Sequence, residues 1–130
     1  MTVHRFDVRV YYEDTDMAGI VYYANYLKYI ERARSEWVRA LGIDQVTLRA
    51  QHGIVFAVRR IEADYLSPAR FDDLLTVETG LAETGAVRLT LAQDVRRGDC
   101  VLFTARVVLV AMNMAGRPVR LPAELRRSRG

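Results

Sequence analysis

Cysteine is almost absent from this chain. Cys100 stands alone among 130 residues, so no internal disulfide can form, and a reducing compartment, the cytoplasm, is the expected location. Histidine is nearly as scarce: His4 and His52 are too few to build a metal cluster with cysteine, and neither a metal nor a separate cofactor is expected. No apolar run approaches the roughly 20 residues of a membrane-spanning helix, because Thr104 and Arg106 interrupt the longest candidate, Val101 to Met112. The sequence opens with Met-Thr-Val-His rather than with the basic patch and apolar stretch of a leader, so none is expected. A Gly-x-Ser-x-Gly elbow is missing too, which removes the usual signature of one class of serine hydrolase. Cys100, with no predicted activator, makes a poor thiolate nucleophile.

Charge of one sign is also lacking once its location is considered. The formal charge is +3, but without Arg126, Arg127 and Arg129 the basic and acidic residues are equal in number. The excess therefore sits in a basic tail at about 124–130, and the neutral body argues against a nucleic-acid partner. With 51% hydrophobic residues, a chain of this length can bury about 65–70% of its unfolded surface around one core. A single domain over residues 1–130 is the expectation.

Periodicity supplies the elements. Phe6, Val8, Val10 and Tyr12 alternate with Arg5, Asp7, Arg9 and Tyr11, the period of a half-buried strand. Tyr26, Tyr29, Ile30, Ala33, Trp37 and Leu41 then recur at three- and four-residue steps, which predicts a helix from about Tyr23 to Leu41, about 28 Å long, closed by Gly42. No second helix is predicted to cover its apolar stripe, so it must pack on a sheet. Four more strands follow. Ile54, Phe56 and Val58 share one parity and Ile61, Ala63 and Tyr65 the other, which predicts a bulge at Arg59-Arg60. Leu75 to Leu81 and Val87 to Val95 alternate in the same way, Arg96-Arg97-Gly98-Asp99 reads as a hairpin turn, and Val101 to Met112 is apolar on both parities, as in a strand buried on both faces.

The stretch that joins the first strand to the helix is the one suited to chemistry. Free N–H groups and the positive dipole end at a helix N-terminus can stabilise a developing oxyanion, and Gly19 permits a tight turn beside them. Glu13, Asp14 and Asp16 bring carboxylates to the same place. Local chemistry alone leaves two readings open, since acids here also serve as helix caps or loop braces.

Tyr11-Tyr12-Glu13-Asp14-Thr15-Asp16, followed by Gly19-Ile20-Val21-Tyr22, Ala24-Asn25-Tyr26 and Glu31-Arg32-Ala33-Arg34-Ser35-Glu36, resembles the Tol-Pal-associated acyl-CoA thioesterases of bacteria and the related 4-hydroxybenzoyl-CoA thioesterases. The similarity continues through Ser67-Pro68-Ala69-Arg70-Phe71-Asp72-Asp73 and spans nearly the whole chain. It implies an α+β hotdog fold, a five-stranded antiparallel sheet wrapped around one long central helix, and hydrolysis of an acyl-CoA thioester to a carboxylic acid and free CoA. Coenzyme A is then part of the substrate. By family position Asp16 is the catalytic carboxylate, as nucleophile or general base, and the backbone N–H of Tyr23 polarises the carbonyl. The same resemblance makes Tyr12, Gly19 and Val21 candidates for substrate contact.

Two departures from the family pattern matter. Many Tol-Pal-associated members carry histidine where this chain has Tyr23, so no imidazole role carries over, and tyrosine at this point resembles the 4-hydroxybenzoyl-CoA enzymes instead. The basic residues that begin the fourth strand in those relatives are replaced here by Thr84-Gly85-Ala86-Val87, which leaves Arg88, with Arg60 and Arg120, as candidates for the CoA phosphates. A five-stranded sheet leaves open edges, and a homodimer or homotetramer is the expected way to hide them. The alternatives to an enzyme are a non-catalytic acyl-CoA or acyl-carrier-protein binding module and a partner protein of an envelope complex.

Overall fold

The computed structural model describes residues 3–127. Arg129 of the basic tail lies outside them, as does the side chain of Arg127. The elements run β1 (His4–Arg9), α1 (Asn25–Ala40), α2 (Gln45–His52), β2 (Val55–Tyr65), β3 (Leu74–Thr84), β4 (Arg88–Arg97), β5 (Cys100–Met112) and α3 (Ala123–Arg127). All five strands form one antiparallel sheet in the order β1-β3-β4-β5-β2. Wrapped on α1, this sheet is the expected hotdog arrangement.

Helix α1 buries Tyr26, Tyr29, Ile30, Ala33 and Trp37 of the predicted stripe; Leu41 is half-buried, and Arg34 and Val38 join the buried face. Against it the sheet turns Leu75 and Val77 of β3, Leu89, Leu91 and Val95 of β4, and Phe103, Ala105 and Val107 of β5. Loss of apolar surface from water is the driving term. A side chain as enclosed as Ile30, with 0% exposure, contributes about 2–3 kcal/mol.

The predicted bulge is present. The β2–β5 register shifts between Val58 and Arg60, so Arg59 is the extra residue and the strand changes parity there. The hairpin between β4 and β5 pairs Arg97 with Cys100 and turns on Gly98 and Asp99.

Four expectations are corrected. First, α1 begins at Asn25 rather than Tyr23, because the C=O of Tyr22 is taken by a turn to Asn25 N–H at 2.8 Å before the helical ladder starts. Second, β1 ends at Arg9 and Tyr12 falls in a short 3-10 turn, Tyr12–Asp14, since Asp14 draws the Tyr11 N–H to its own carboxylate at 2.8 Å. Third, a second helix, α2, exists. Asp44 caps it by accepting from Val46 N–H at 3.0 Å, and Gly53 ends it at φ +64, a left-handed conformation that glycine adopts without strain. Helix α2 buries none of its residues and packs on β2, so it leaves the stripe of α1 to the sheet. Fourth, β5 is buried on both parities only where it starts, at Leu102 and Phe103; beyond them Ala105, Val107, Leu109 and Ala111 are buried, whereas Val108 and Val110 are half-buried and Arg106 is exposed.

Candidate active site

Between β1 and α1 the backbone is tied down residue by residue. Val10, fully buried, exchanges two hydrogen bonds of 2.9 Å with the 72–73 segment, donating to Asp73 C=O and accepting from Asp72 N–H. Beyond the 3-10 turn, Asp16 closes a second turn: its C=O accepts from Gly19 N–H at 2.9 Å and its Oδ1 from Ala18 N–H at 2.9 Å. Gly19 sits at φ +78, where a side chain would strain the backbone, and Asp16 N–H donates to Ile20 C=O at 3.0 Å. The turn thereby fixes the Asp16 side chain at its base while leaving the residue exposed. Val21, 3% exposed, then donates to Ala69 C=O at 2.9 Å and joins this loop to the segment after β2.

The next bonds decide which amide is free. Tyr22 N–H donates to Asp14 C=O at 2.9 Å, and Tyr22 C=O accepts from Asn25 N–H at 2.8 Å. The Asn25 side-chain amide adds a second bond to Asp14 C=O at 2.9 Å. A trans peptide points its N–H opposite to its C=O, so anchoring the Tyr22 carbonyl in the turn aims the Tyr23 N–H away from the helix. Among the described residues no acceptor pairs with it. Ala24, at the cap position, supplies no side-chain oxygen to the helix start. The outcome is a free donor at the positive end of a 16-residue helix, the electrostatic setting that favours a negative oxygen.

Asp16 and Tyr23 line one cavity of about 440 Å³, together with Ile20, Val21, Tyr22, Tyr26, Tyr65, Leu66, Ser67 and Pro68. Asp16 is the single carboxylate among these lining residues. Aromatic rings make the wall. Tyr26 stacks on Phe103 with centroids 5.0 Å apart, Tyr65 meets Phe103 edge-on at 4.9 Å and Tyr26 at 5.5 Å, and Tyr23 lies 6.2 Å from Tyr65. Two of the phenols are committed to backbone: Tyr26 Oη accepts from Ala69 N–H at 3.0 Å, and Tyr65 Oη donates to Tyr23 C=O at 3.0 Å. Burial raises the pKa of both phenols above the ordinary value. Tyr22 is raised as well, first by the neighbouring Tyr23 phenol and last by the Asp16 charge. All three therefore stay neutral around pH 7.

A larger groove of about 670 Å³ runs between α2 and the start of β2, past Gln45, Arg49, Phe56 and Met114. No carboxylate lines it, and the helix start that does, at Gln45 and Val46, is already capped by Asp44, so size notwithstanding, the smaller cavity is the one equipped for acyl chemistry. Among the described residues no three side chains of the His, Cys, Asp and Glu types gather as a metal site.

Of the residues singled out from sequence, Asp16, Val21 and Tyr23 come together in the cavity, and Gly19 supports Asp16 from behind. Tyr12 does not reach it. That side chain is 83% exposed and meets Phe71 edge-on at 6.2 Å. Arg60 and Arg88 also stand apart: Arg60 is opposite Val108 and Arg88 opposite Val110 of β5, on the outer face of the sheet, and Arg60 pairs with Glu62 at 2.6 Å. Sequence reasoning missed Tyr65, Leu66 and the brace of Asp14 and Asn25. Tyr65 was legible only as a strand residue, and nothing in its neighbours signals a contact with the helix start.

Comparison with known proteins places this site in context. The family described as the thioesterase superfamily matches residues 18–104. An acyl-CoA thioesterase, YbgC, of Haemophilus influenzae is 39% identical over 93% of this chain and 90% of its own length. A probable thioesterase of Bartonella henselae, solved by crystallography, superposes with a TM-score of 0.90 at 37% identity, covering 93% of this chain and all of that one. A 4-hydroxybenzoyl-CoA thioesterase variant, solved with 4-hydroxybenzoyl-CoA bound, superposes with a TM-score of 0.89 at 25% identity over 95% of both chains.

Proposed function

The chain belongs to the thioesterase superfamily and is a thioester hydrolase, and from the geometry of its cavity we propose how it works and on what. The substrate is an acyl-CoA. Its thioester carbonyl lies in the cavity with the oxygen on the Tyr23 N–H and the carbon before the Asp16 carboxylate, which attacks it directly or activates a water that does. In the direct route the carboxylate forms a mixed anhydride as the C–S bond breaks, and a water then hydrolyses that anhydride and restores the carboxylate; in the other route Asp16 takes the proton of the water whose hydroxyl adds to the carbonyl carbon, and the C–S bond breaks next. Both consume one water and end with the carboxylic acid and the CoA thiol, whose proton comes from that water. Polarisation by one preorganised donor lowers such a barrier by about 3–4 kcal/mol, and the fixed loop supplies the alignment. The observation that carries this reading is the unpaired Tyr23 N–H at the start of α1, in the same cavity as a lone carboxylate.

Asp16→Asn is the appropriate test, because an amide oxygen can still accept from Ala18 N–H and preserve the turn while the charge is lost. The expected result is a fall in kcat of about a thousandfold, with an unchanged unfolding temperature, in a thiol-release assay over a panel of acyl-CoAs. Wild-type turnover retained by this variant sinks the mechanism. The working form is a homodimer or homotetramer, a reading supported by the open sheet edges. Arg60 and Arg88, on the outer face, reach CoA phosphates only outside the cavity itself.

A further inference from the structure

We propose that Tyr65 is a positioning residue for the carbonyl-polarising amide and a specificity wall for the acyl group, two roles divided between its hydroxyl and its ring. This rests on the oxyanion role given to the Tyr23 N–H. The residue ends β2, opposite Phe103 of β5, and its ring is held between Phe103, Tyr26 and Tyr23 at centroid distances of 4.9, 5.5 and 6.2 Å. Nevertheless it is 48% exposed, because its remaining surface lines the cavity.

The hydroxyl does something the other ties cannot. Tyr22 is fixed on its N-terminal side by Asp14 and Asn25, all within one short stretch of chain. On the C-terminal side of the free N–H, Tyr23 C=O is held by Tyr65 Oη at 3.0 Å, across 42 residues of sequence. Ala24 gives no side-chain cap to steady that peptide. Without the phenol the Tyr23–Ala24 peptide loses its partner and can rotate, and the torsions of Tyr23, which set where its N–H points, are no longer bracketed. Tyr65 thus anchors the start of the helix to the sheet. Burial first, then the Tyr23 and Tyr26 phenols, hold the Tyr65 pKa above its ordinary 10.0, so it remains a donor across the neutral range.

Tyr65→Phe keeps the ring and removes the bond. Misplacing a reacting group by a fraction of an ångström to an ångström costs up to about a hundredfold, so kcat should fall about ten- to a hundredfold while KM stays within about twofold. Tyr65→Leu, which also removes the wall, should raise KM in addition, most for the bulkiest acyl group that the wild type accepts. A ring-fluorinated tyrosine at position 65 retains shape and hydroxyl but titrates lower. Its kcat should drop as pH climbs through the fluorophenol pKa, over a range where wild type is flat, and this readout holds even if Tyr65→Phe folds poorly. Equal kcat in wild type and Tyr65→Phe, or a fluorotyrosine profile that follows wild type, overturns the inference and leaves the Asp16 mechanism standing. Wild-type protein inert toward every acyl-CoA overturns both, and that failure shows before any variant is made.

Discussion

At the centre of β4, Gln93 is fully buried and holds three partners at once. Its Nε2 donates to Ile30 C=O and to Thr79 Oγ1, both at 2.9 Å, and its Oε1 accepts from Arg34 Nη1 at 3.0 Å. Arg34 lies on the buried face of α1 with 9% exposure. Burial lowers its pKa, with Glu31 pulling the other way, and no carboxylate bonds to it among the described residues. A buried cation that relies on a neutral amide is costly to disturb. Gln93→Leu is expected to destabilise the fold by about 3 kcal/mol, because it strands the guanidinium, whereas adding Arg34→Met to Gln93→Leu should recover most of that loss. Urea unfolding of the three proteins reads both values, and a double variant as weak as the single one refutes the account. Neither residue announces itself in the sequence: an arginine at core spacing on a helix looks like surface until its partner, 59 positions away, is known. Asp16 and Tyr23, by contrast, could be picked out beforehand because their family position lies within one contiguous motif. Tyr65, Asp14 and Asn25 act through folded contacts that no local pattern encodes.

Among elements, the segment between β2 and β3 carries the far wall of the cavity and is held by Asp73. Its carboxylate accepts from Arg70 N–H at 2.9 Å and from Arg97 Nη1 at 2.8 Å, which ties the segment to the β4–β5 hairpin. Burial pushes the Asp73 pKa up, but the Arg70 N–H and the Arg97 guanidinium outweigh it, and the net result lies below the ordinary 3.8. A depressed folded value means that the carboxylate contributes stability above the unfolded pKa and loses it as pH falls through the folded one. Asp73→Asn should therefore unfold at lower temperature than wild type at pH 7, by about 1 kcal/mol given solvent screening at the rim. The gap should close only as pH drops below about 4, near the free-aspartate value. A gap that is constant from pH 7 to the acid limit contradicts the assignment. Strands and α1 were readable as elements because each carries a clean period, and the bulge at Arg59 because it reverses that period. Helix α2 was not, since it buries none of its residues and so lacks an apolar stripe. Its only signals were the caps, Asp44 and Gly53, which also suit a loop.

For the whole molecule, periodicity yields strands but not neighbours, and the order β1-β3-β4-β5-β2 came within reach only through the family resemblance. That order leaves β1 and β2 at the edges. β2 is the longer, with 11 residues against 6, and unpaired edges of this kind invite another strand. Along it and its exit, Val58, Tyr65 and Leu66 are 46%, 48% and 58% exposed, and the last two line the cavity. A second copy laid along β2 would satisfy the edge and cover these exposed apolar side chains, narrowing a site in which Asp16 now stands open to solvent. Sedimentation of the purified chain should accordingly report at least twice the chain mass at micromolar concentration. Val58→Lys, which sets a charge on that edge, should shift the protein toward monomer and raise KM in step with the monomer fraction. A wild-type monomer with full turnover at assay concentration shows the cavity to be complete in one chain.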